Sequence, residues 1–462
     1  MKVIKIGGGC LKNKETIAAI LDLLVERGQG NIVVVSALGG VTDLLLNGMH
    51  RALADEEAIG ELMCRLKSRH MLVAGHVIPG EKQRRAFSLE LGKILGKLER
   101  LYYGLHFTRE ITPRMADSIS SFGERMCAHL LRTALQAREG KACCRFPEEI
   151  GILTDGKYAD ATAQLDKSET AFMKKLRSMQ NGQRVLFIPG FYGVSEGGEI
   201  TTFGRGGSDY SAAVITAISG AEVLEIWKDV DGFLSADPKF IPGATVLPEL
   251  SYDEAAELAY FGAKILHPRT VEPLRDKGLP IEIRNTLHPD VTGSRITAQG
   301  AARLGVVKSV AHTTDISILK VHASGVGMRR GILSEVATAV AGKGVNIKSV
   351  VTSQTCISLL LARKDLEPAA QALQDLQPRP YRNLERIEGI ALVAVVGKGL
   401  AERPGIAAGC FSAAAACRVN IEMIAFGPSP VALYFIVQES DLRTAVNAIH
   451  NHFFQASQGF TR

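Results

Sequence analysis

A Gly-rich stretch at residues 200–215, ITTFGRGGSDYSAAVI, contains the residue types needed to bind an anion. Its glycines permit positive φ angles and let the backbone approach a ligand closely. The small residues after them predict a helix, with Ser208 or Asp209 as its N-cap. Because the first N–H groups of a helix are unpaired and its dipole is positive at that end, this turn is suited to a phosphate or a carboxylate.

Two opposite charges lie in the same turn. Arg205 provides a planar guanidinium that can bind a carboxylate or a phosphate through paired hydrogen bonds, and Asp209 supplies a carboxylate close by in sequence. An ordinary strand-turn-helix corner with solvated charges has the same local pattern. The neighbouring motifs have to decide between these interpretations.

The elements around this turn predict an α/β domain. Residues 1–300 alternate short apolar runs with helical patterns, which indicates a mostly parallel sheet with helices on both faces. Val3–Ile6 and Ile32–Val35 are predicted strands, and each runs into a Gly-rich turn. Between them, Asn13 is the predicted N-cap of a helix that ends at Gly28. Ligands of open α/β sheets bind at the carboxyl ends of strands, so we expect these turns to border one crevice. Residues from about 50 to 115 are charged and helical, and we interpret them as a helical insertion.

Two further groups of charged residues belong to the same domain. In SSFGERMCAHLLRTAL, Ser121 and Glu124 have the spacing of a capping box ahead of an apolar helical stripe. The turn KDVDG at residues 228–232 follows a predicted strand at residues 223–226, and its lysine, carboxylates and glycine suit a nucleotide or its metal ion. Taken singly, a helix cap and a polar turn explain both groups.

The last third of the chain contains an internal repeat. The pair Gly-Ile at 331–332 and the triplet Val-Asn-Ile at 345–347 recur at 405–406 and 419–421 with the same spacing. Each copy has the pattern strand, helix, strand, strand, helix. The copies are predicted to form α+β modules at residues 305–380 and 386–462. Twin modules after an enzyme-like domain suggest regulation, with effector sites where their sheets pair.

Composition limits the class of protein. With 462 residues, 46% apolar and 22% charged, the chain predicts about three folded domains. It has no apolar run of the roughly 18 residues that span a membrane, and MKVIKIGGG predicts a first strand and not a signal peptide, so we expect a cytoplasmic protein. The eight cysteines lack disulfide or zinc spacing. The net charge of +6 is spread out, which favours small anionic ligands over nucleic acid.

Five ordered segments resemble those of one family, and the resemblance covers nearly the whole chain. They are KIGGG at Lys5, SFGER at Glu124, FGRGGSDYSAA around Arg205 and Asp209, EIWKDVDGFLSADPK, and ELAYFGAKILHPRT. Together they resemble aspartate kinase, of the amino acid kinase fold, and the repeats resemble the tandem ACT modules of that family. The resemblance implies a mostly parallel α/β domain with helices on both faces, followed by two ferredoxin-like α+β modules.

This resemblance implies transfer of the γ-phosphoryl group of ATP to the β-carboxylate of L-aspartate, with Mg²⁺ present, in lysine, threonine and methionine synthesis. Such a reaction depends on positioning and charge neutralisation, since two anions must meet. The resemblance also implies a homo-oligomer, a dimer or tetramer joined through the ACT modules, with lysine or threonine as effector. It implies no metal ligand from the chain and no membrane or nucleic-acid partner.

The resemblance assigns a role to each matching residue. The catalytic residues would be Lys5 and Asp209. The aspartate-binding residues would be Ser36, Thr42, Glu124, Arg205 and Ser208. The ATP-binding residues would be Gly7, Gly8, Gly9, Lys228, Asp229, Leu234, Lys239 and Lys264. The effector-binding residues would be Asn346, Ser353, Gln354 and Asn420.

Five positions depart from the usual pattern of the family. Gly9 and Cys10 stand where Thr and Ser are usual, so the role of those two hydroxyls cannot be transferred. Lys228 stands where threonine is usual, which adds a charge near the nucleotide. Leu234 replaces a common aromatic residue. Lys239 replaces an arginine, which keeps the charge and loses the planar fork.

Two other functions stay open from the sequence alone. The chain could phosphorylate another small amino acid or carboxylate, or it could be a non-catalytic sensor that kept its ACT modules while the first motif decayed to GGGC. The joint presence of Lys5, Glu124, Arg205 and Asp209 argues against the sensor, since a decayed site has no need of four such charges. We expect a monofunctional kinase, because no dehydrogenase follows the second repeat.

Overall fold

The computed structural model describes residues 1–179, 184–263, 265–300 and 306–455. The chain forms two compact units. The first comprises Met1–Phe233, Val246–Ala256 and Lys264–Ala302, and the second comprises Leu234–Thr245, Glu257–Ala263 and Arg303–Arg462. Two segments from within the first 300 residues therefore belong to the second unit, which the sequence did not predict.

The first unit combines a large sheet with helices on the connections between its strands. Its helices are α1 (Lys14–Arg27), α2 (Val41–Ala54), α3 (Glu57–Val77), α4 (Glu81–Thr108), α5 (Pro113–Ser120), α6 (Phe122–Gln136), α7 (Pro147–Ile150), α8 (Leu165–Met179), α9 (Gly207–Ser219), α10 (Tyr252–Tyr260, which continues into the second unit) and α11 (Glu272–Arg275). Its strands are β1 (Val3–Ile6), β2 (Ile32–Val35), β3 (Ala142–Cys144), β4 (Val185–Pro189), β5 (Tyr192–Val194), β6 (Ile200–Thr202), β7 (Leu224–Lys228), β8 (Glu249–Ser251), β9 (Ile281–Asn285) and β10 (Ser294–Thr297).

Within the described residues, the main sheet has eight strands in the order β3-β4-β2-β1-β7-β9-β10-β8. Neighbouring strands are parallel except β9 and β10, which are antiparallel. Strands β1, β2 and β4 are buried at every position, as expected of parallel strands that are covered on both faces. The predicted mostly parallel α/β fold is confirmed.

Local sequence signals account for the first crossover of this sheet. The side chain of Asn13 accepts a hydrogen bond from the Thr16 amide at 2.9 Å, and this predicted N-cap starts α1. The helix ends at the predicted Gly28, and its buried side chains recur at helical spacing. The chain then returns as β2, parallel to β1.

The predicted insertion at residues 50–115 is helical, and its two long helices, α3 and α4, pack against each other and against α2. The Tyr102 hydroxyl of α4 donates a hydrogen bond to the Leu45 carbonyl of α2 at 2.7 Å. The Nδ1 atom of His106, also in α4, lies 2.7 Å from the Ala52 carbonyl of α2. These buried contacts fix α2 against the insertion.

The second unit contains the two predicted modules. Its helices are α12 (Ile332–Gly342), α13 (Leu366–Gln374), α14 (Ile406–Ala416) and α15 (Leu442–His450). Its strands are β11 (Ser309–Thr313), β12 (Ser317–His322), β13 (Ile347–Thr352), β14 (Cys356–Leu361), β15 (Asn383–Ile387), β16 (Ile390–Val396), β17 (Met423–Phe426) and β18 (Ala432–Gln438).

The sheets of the second unit exchange strands relative to the sequence repeats. As far as residues 306–455 are concerned, one four-stranded sheet has the order β13-β14-β12-β15 and the other the order β11-β16-β18-β17. Strand β11 therefore joins the sheet of the second repeat, and β15, which precedes that repeat, joins the sheet of the first. The modules do not follow the contiguous ranges 305–380 and 386–462.

The internal repeat is visible in the helix starts. Gly331 and Gly405 take the left-handed conformation, with φ of 95° and 90°, and each precedes a helix of 11 residues. A β-branched isoleucine cannot take this conformation cheaply, which explains the Gly-Ile order in both copies.

The two segments that leave the first 300 residues are integrated into the second unit. Ala236 forms a parallel bridge with Val310, and the side chain of Ser235 lies 3.1 Å from His450 of α15. The Tyr260 hydroxyl donates a hydrogen bond to the carbonyl of Lys348 at 2.8 Å.

Among the helices of the described ranges, none has both the length and the apolar character needed to cross a membrane.

Candidate functional site

A cavity of about 400 Å³ opens in the first unit at the carboxyl ends of β1 and β2. Its lining residues come from five places in the sequence: Lys5, Gly8 and Lys12; residues 36–40 with Thr42 and Asp43; Glu124; Phe191; and residues 206–209. The turns that follow β1 and β2 thus meet the Gly-rich turn before α9. The predicted convergence on one crevice is observed for these residues.

Helix α9 begins at this cavity, and its N-cap is Gly206 and neither Ser208 nor Asp209. Gly206 has a φ of 73°, and a Cβ at this position would lie 2.4 Å from the His267 side chain. The sequence-based choice of cap was wrong because close packing of His267 requires a glycine, which leaves Ser208 and Asp209 inside the first turn. Their side chains are therefore free to face the cavity instead of capping the helix.

The carboxylate of Asp209 forms ion pairs with two lysines. Its Oδ1 lies 2.5 Å from Lys5 Nζ, and its Oδ2 lies 3.4 Å from Lys228 Nζ. The carboxylate of Asp209 is 9% exposed, and burial alone would raise its pKa, but the charges of Lys5 and Lys228 overcome this and lower the pKa. Asp209 is thus held as an anion inside the protein.

Glu124 is the second buried carboxyl of the cavity. Burial raises its pKa to about 8, although a hydrogen bond from the Ser208 hydroxyl at 3.4 Å acts in the opposite direction. Its Oε2 is buried and has no hydrogen-bond partner in the described structure. The predicted capping box is wrong, because Ser121 donates its hydroxyl to the Ser118 carbonyl at 2.8 Å. A buried, partly unpaired carboxyl at a cavity suits a cationic group of a ligand.

The Gly-rich turn after β1 is closely packed. The Gly7 amide bonds to the Trp227 carbonyl at 3.0 Å. A Cβ on Gly9 would lie 3.1 Å from both carboxylate oxygens of Asp229, so this position leaves little room for a side chain. Cys10 is fully buried, with its Sγ 3.1 Å from the Thr286 hydroxyl. Neither Gly9 nor Cys10 presents a polar side chain to the cavity.

Several residues predicted for the site do not line this cavity. Arg205 is exposed next to the lining residue Gly206, and it has no ion pair with a described residue. Leu234 and Lys239 belong to the second unit. Lys264 lies outside the described residues. The predicted effector residues of the second unit are all exposed and are Asn346, Ser353, Gln354 and Asn420.

The sequence assigned no site role to nine of the lining residues, of which three are charged or aromatic: Lys12, Asp43 and Phe191. Lys12 follows the Gly-rich turn by three positions, and Asp43 follows Thr42 in the first turn of α2, so their proximity to the motifs was a usable signal. Phe191 has a φ of 79°, which is unusual for a residue other than glycine. Its sequence context, PGFYG, gives no sign that it borders a ligand cavity.

Comparison with known proteins gives two family matches. The model of the amino acid kinase family matches residues 1–285, and a model of the ACT domain matches residues 393–453. The first match covers more than half of the chain and the whole cavity. The chain therefore belongs to the amino acid kinase family.

Individual relatives narrow this class. The chain is 31% identical to aspartokinase 2, chloroplastic, of Arabidopsis thaliana, in an alignment that covers 98% of this chain and 84% of the relative. Within its family the chain is an aspartokinase homologue, and the resemblance seen in the sequence is confirmed. It is also 28% identical to bifunctional aspartokinase/homoserine dehydrogenase 2, chloroplastic, of Zea mays, with 98% of this chain and 50% of that relative covered. The chain spans about half the length of such bifunctional relatives.

A solved structure shares the fold. The crystal structure of E. coli aspartokinase III in complex with aspartate and ADP matches with a TM-score of 0.83 and 24% identity. The match covers 98% of this chain and all of that one, 100%. At this identity the likeness establishes the fold and leaves ligand roles to the residues themselves.

We predict that Gly206→Ala destabilises the protein more than Gly220→Ala. Both glycines have similar positive φ angles, 73° and 72°, at opposite ends of α9, so each alanine should cost about 1 kcal/mol of backbone strain. Only the Cβ at 206 meets His267, which should add about 1–3 kcal/mol. Urea unfolding of the two variants in parallel measures the difference, and equal destabilisation would contradict the packing argument.

Proposed function

We propose that this protein is an ATP-dependent aspartate kinase that converts L-aspartate to 4-phospho-L-aspartate, the entry to lysine, threonine and methionine synthesis. The observation that carries the proposal is one cavity in which Lys5, Asp209 and Glu124 meet the N-terminus of α9. Such a site offers binding groups of both signs, as an amino acid with two carboxylates and one ammonium requires. Aspartokinase relatives support the choice of substrate.

The reaction needs little from the protein besides position and charge. An oxygen of the aspartate β-carboxylate attacks the γ-phosphorus of ATP and forms a new O–P bond. The bond between that phosphorus and the bridging oxygen breaks, and its electron pair stays on ADP. No proton is transferred, which agrees with a cavity that has lysines for charge stabilisation and no histidine in its lining among the described residues.

Different groups of the site would bind the ammonium and the α-carboxylate of aspartate. The unpaired Oε2 of Glu124 is suited to the α-ammonium group. Arg205 and the amides at the start of α9 are suited to the α-carboxylate, and the exposure of Arg205 leaves its guanidinium available. Ser36 and Thr42 line the same cavity and can donate hydrogen bonds to the substrate.

The nucleotide would bind along the turns that follow β1 and β7. The amides of the Gly7–Gly9 turn, Lys228 and Asp229 lie at the carboxyl ends of these adjacent strands. The described residues hold no group of three or more His, Cys, Asp or Glu side chains placed to bind a metal ion. Mg²⁺ would enter on the phosphates of ATP, since this small cation is usually bound through substrate phosphates and one or two carboxylates.

Two alternatives are tested by the same site. A kinase of a small carboxylate without an amino group would keep the lysines and lose the need for an ammonium partner, which Glu124 argues against. A kinase of another small amino acid would keep the lysines and Glu124, and assays with each amino acid separate it from an aspartate kinase. A non-catalytic sensor would have no reason to keep Lys5 and Asp209 buried, because the desolvation of two charges is costly without a functional gain.

Replacement of Lys5 tests the activity itself. We predict that the wild type forms aspartyl hydroxamate in the presence of ATP, aspartate and hydroxylamine. Lys5→Ala should lose at least about 100-fold in rate, because it removes the positive charge that stabilises the transferring phosphoryl group. The control is Lys2→Ala, which breaks a 2.7 Å ion pair with Glu225 beside the same strand and should keep the activity. A wild type that binds lysine or threonine but phosphorylates no amino acid would favour the sensor.

The pH dependence of aspartate binding tests the role of Glu124. With a pKa of about 8 in the free site, this carboxyl is mostly protonated at pH 6.5 and must lose its proton to hold an ammonium group. The KM for aspartate should therefore fall on the order of tenfold as the pH rises from 6.5 to 8.5, with little change in the KM for ATP. Glu124→Gln should have a high KM for aspartate at every pH. A flat wild-type profile would contradict this role.

We also infer feedback control through the twin modules, with lysine or threonine bound at a seam between paired modules of a homo-oligomer. The edge strands β13 and β17 support pairing, because they expose the apolar side chains of Val350, Ile424 and Phe426. Asn346 and Asn420 occupy equivalent positions before these strands, and Ser353 and Gln354 follow β13. An effector would act by binding one state of the enzyme more tightly.

Titration of the enzyme with single amino acids tests this control. We expect lysine or threonine to inhibit aspartate phosphorylation and Asn346→Ala or Asn420→Ala to weaken the inhibition, while the rate without effector stays unchanged. The state of assembly can be followed by light scattering in the same samples. Flat responses to every amino acid would remove the regulatory role and leave the kinase proposal untouched.

A further inference from the structure

Two lysine ammonium groups lie next to the single buried carboxylate of Asp209. Lys5 already forms a 2.5 Å ion pair with Oδ1, and Lys228 approaches Oδ2 at 3.4 Å. The side chains of Lys5 and Lys228 are only 5% and 16% exposed. One carboxylate cannot neutralise two ammonium groups, so this cluster carries an excess positive charge in a poorly solvated place.

The carboxylate of Asp229 also acts on Lys228 but offsets little of this excess. Asp229 is exposed, and its carboxylate lies against Gly9, without an ion pair to Lys228. Charges in contact with solvent are strongly screened and contribute little to a buried neighbour. Burial and the charge of Lys5 lower the pKa of Lys228, as expected where an anion that would stabilise the second cation is supplied from outside.

The position of Lys228 indicates which anion this is. Lys228 is the last residue of β7, which runs parallel to β1. Ile6 of β1 pairs with Trp227 of β7, so the next residues along the two chains, Gly7 and Lys228, lie side by side. A Cβ on Gly7 would lie 3.5 Å from the Lys228 side chain and 3.7 Å from Lys5 Nζ. The two lysines therefore flank the first Gly-rich turn. Backbone amides of such a turn bind phosphate oxygens.

The turn itself has no other side chain for this task. Gly9 has none, and the thiol of Cys10 is buried against Thr286. Lys12 lies farther along and lines the cavity that receives the amino acid in the proposed function. Lys228 is thus the side chain placed to add charge on the β7 side of Asp209, opposite Lys5.

We propose that Lys228 is a second cationic catalytic residue, which contacts the phosphates of bound nucleotide and the phosphoryl group in flight, and does not act only through Asp209. This inference rests on the proposed kinase function and assigns the residue a direct role within it. In the transfer the O–P bond to aspartate forms while the bond to the ADP oxygen breaks, and negative charge is spread over the oxygens of the transferring group. Lys5 and Lys228 would stabilise that charge from two sides of Asp209.

The test replaces Lys228 and measures ADP binding by calorimetry together with steady-state kinetics. Lys228→Gln keeps the ability to donate a hydrogen bond to Asp209 and removes the charge. We expect its Kd for ADP to rise about tenfold or more and its kcat to fall about 100-fold, with the KM for aspartate within twofold of the wild-type value. Lys228→Arg retains the charge and should keep ADP binding within a few fold.

Two controls separate direct contact from an indirect effect. Lys2→Gln removes a matched lysine-carboxylate pair, with Glu225, and should leave ADP binding and turnover unchanged. In an Asp209→Asn background, Lys228→Gln should still weaken ADP binding by a similar factor. Loss of the effect in that background, or a Lys228→Gln enzyme with wild-type Kd and kcat, would overturn the proposal.

Failure of this inference can be told apart from failure of the proposed function. If the wild type does not phosphorylate aspartate but Lys228→Gln still weakens ADP binding in both backgrounds, the substrate assignment falls and the nucleotide role of Lys228 stands. If the wild type phosphorylates aspartate and Lys228→Gln has no effect on ADP binding, the role of Lys228 falls and the kinase stands.

Discussion

The ion pair between Lys5 and Asp209 is the interaction on which the rest of the site depends. Each side chain is almost completely buried, and the two come from β1 and from the first turn of α9, which are 204 residues apart in the chain as numbered. Burial of both charges is costly, and it is tolerated only where partners are close and well placed. The pair therefore requires that strand and helix be held in register by the surrounding packing.

Packing around two glycines provides that register. Gly206 lets α9 begin directly against His267, and Gly190, at the end of β4, leaves room for Ser208, because a Cβ there would lie 3.1 Å from its Cα. On the other side, the helical insertion supports α2 through Tyr102, and α2 presents Thr42 to the cavity. The cavity lies at the ends of strands and helices, and buried contacts in the same domain hold those ends in place.

The sequence predicted those parts of the structure that local patterns determine. The strand and turn at Lys5, the cap at Asn13 and the repeated Gly-Ile pair all follow from residue types within a few positions, and all are observed. Predictions were wrong where a residue distant in the sequence determines the local structure. His267 makes Gly206 the cap of α9, and the environment of Glu124 turns a supposed capping residue into a buried cavity carboxyl. Pattern alone contains neither contact.

Strand exchange and segment transfer were also beyond local pattern. Strand β11 pairs with β16 in the sheet of the second module, and the segment at Ala236 joins the same unit by a bridge to Val310. Both pairings are long-range, so no local pattern predicts them. Family resemblance supplied the roles of Arg205, Leu234 and Lys239, and none of these three is among the residues that line the cavity.

We propose above that one crevice holds aspartate by both of its ends against a triphosphate. A crystal structure of the protein with aspartate and a non-hydrolysable ATP analogue tests it most directly. We expect the α-ammonium within about 3 Å of Glu124 Oε2 and a β-carboxylate oxygen facing the γ-phosphorus beside Lys5. Aspartate bound in the opposite orientation, or outside the cavity lined by Lys5 and Glu124, would contradict it.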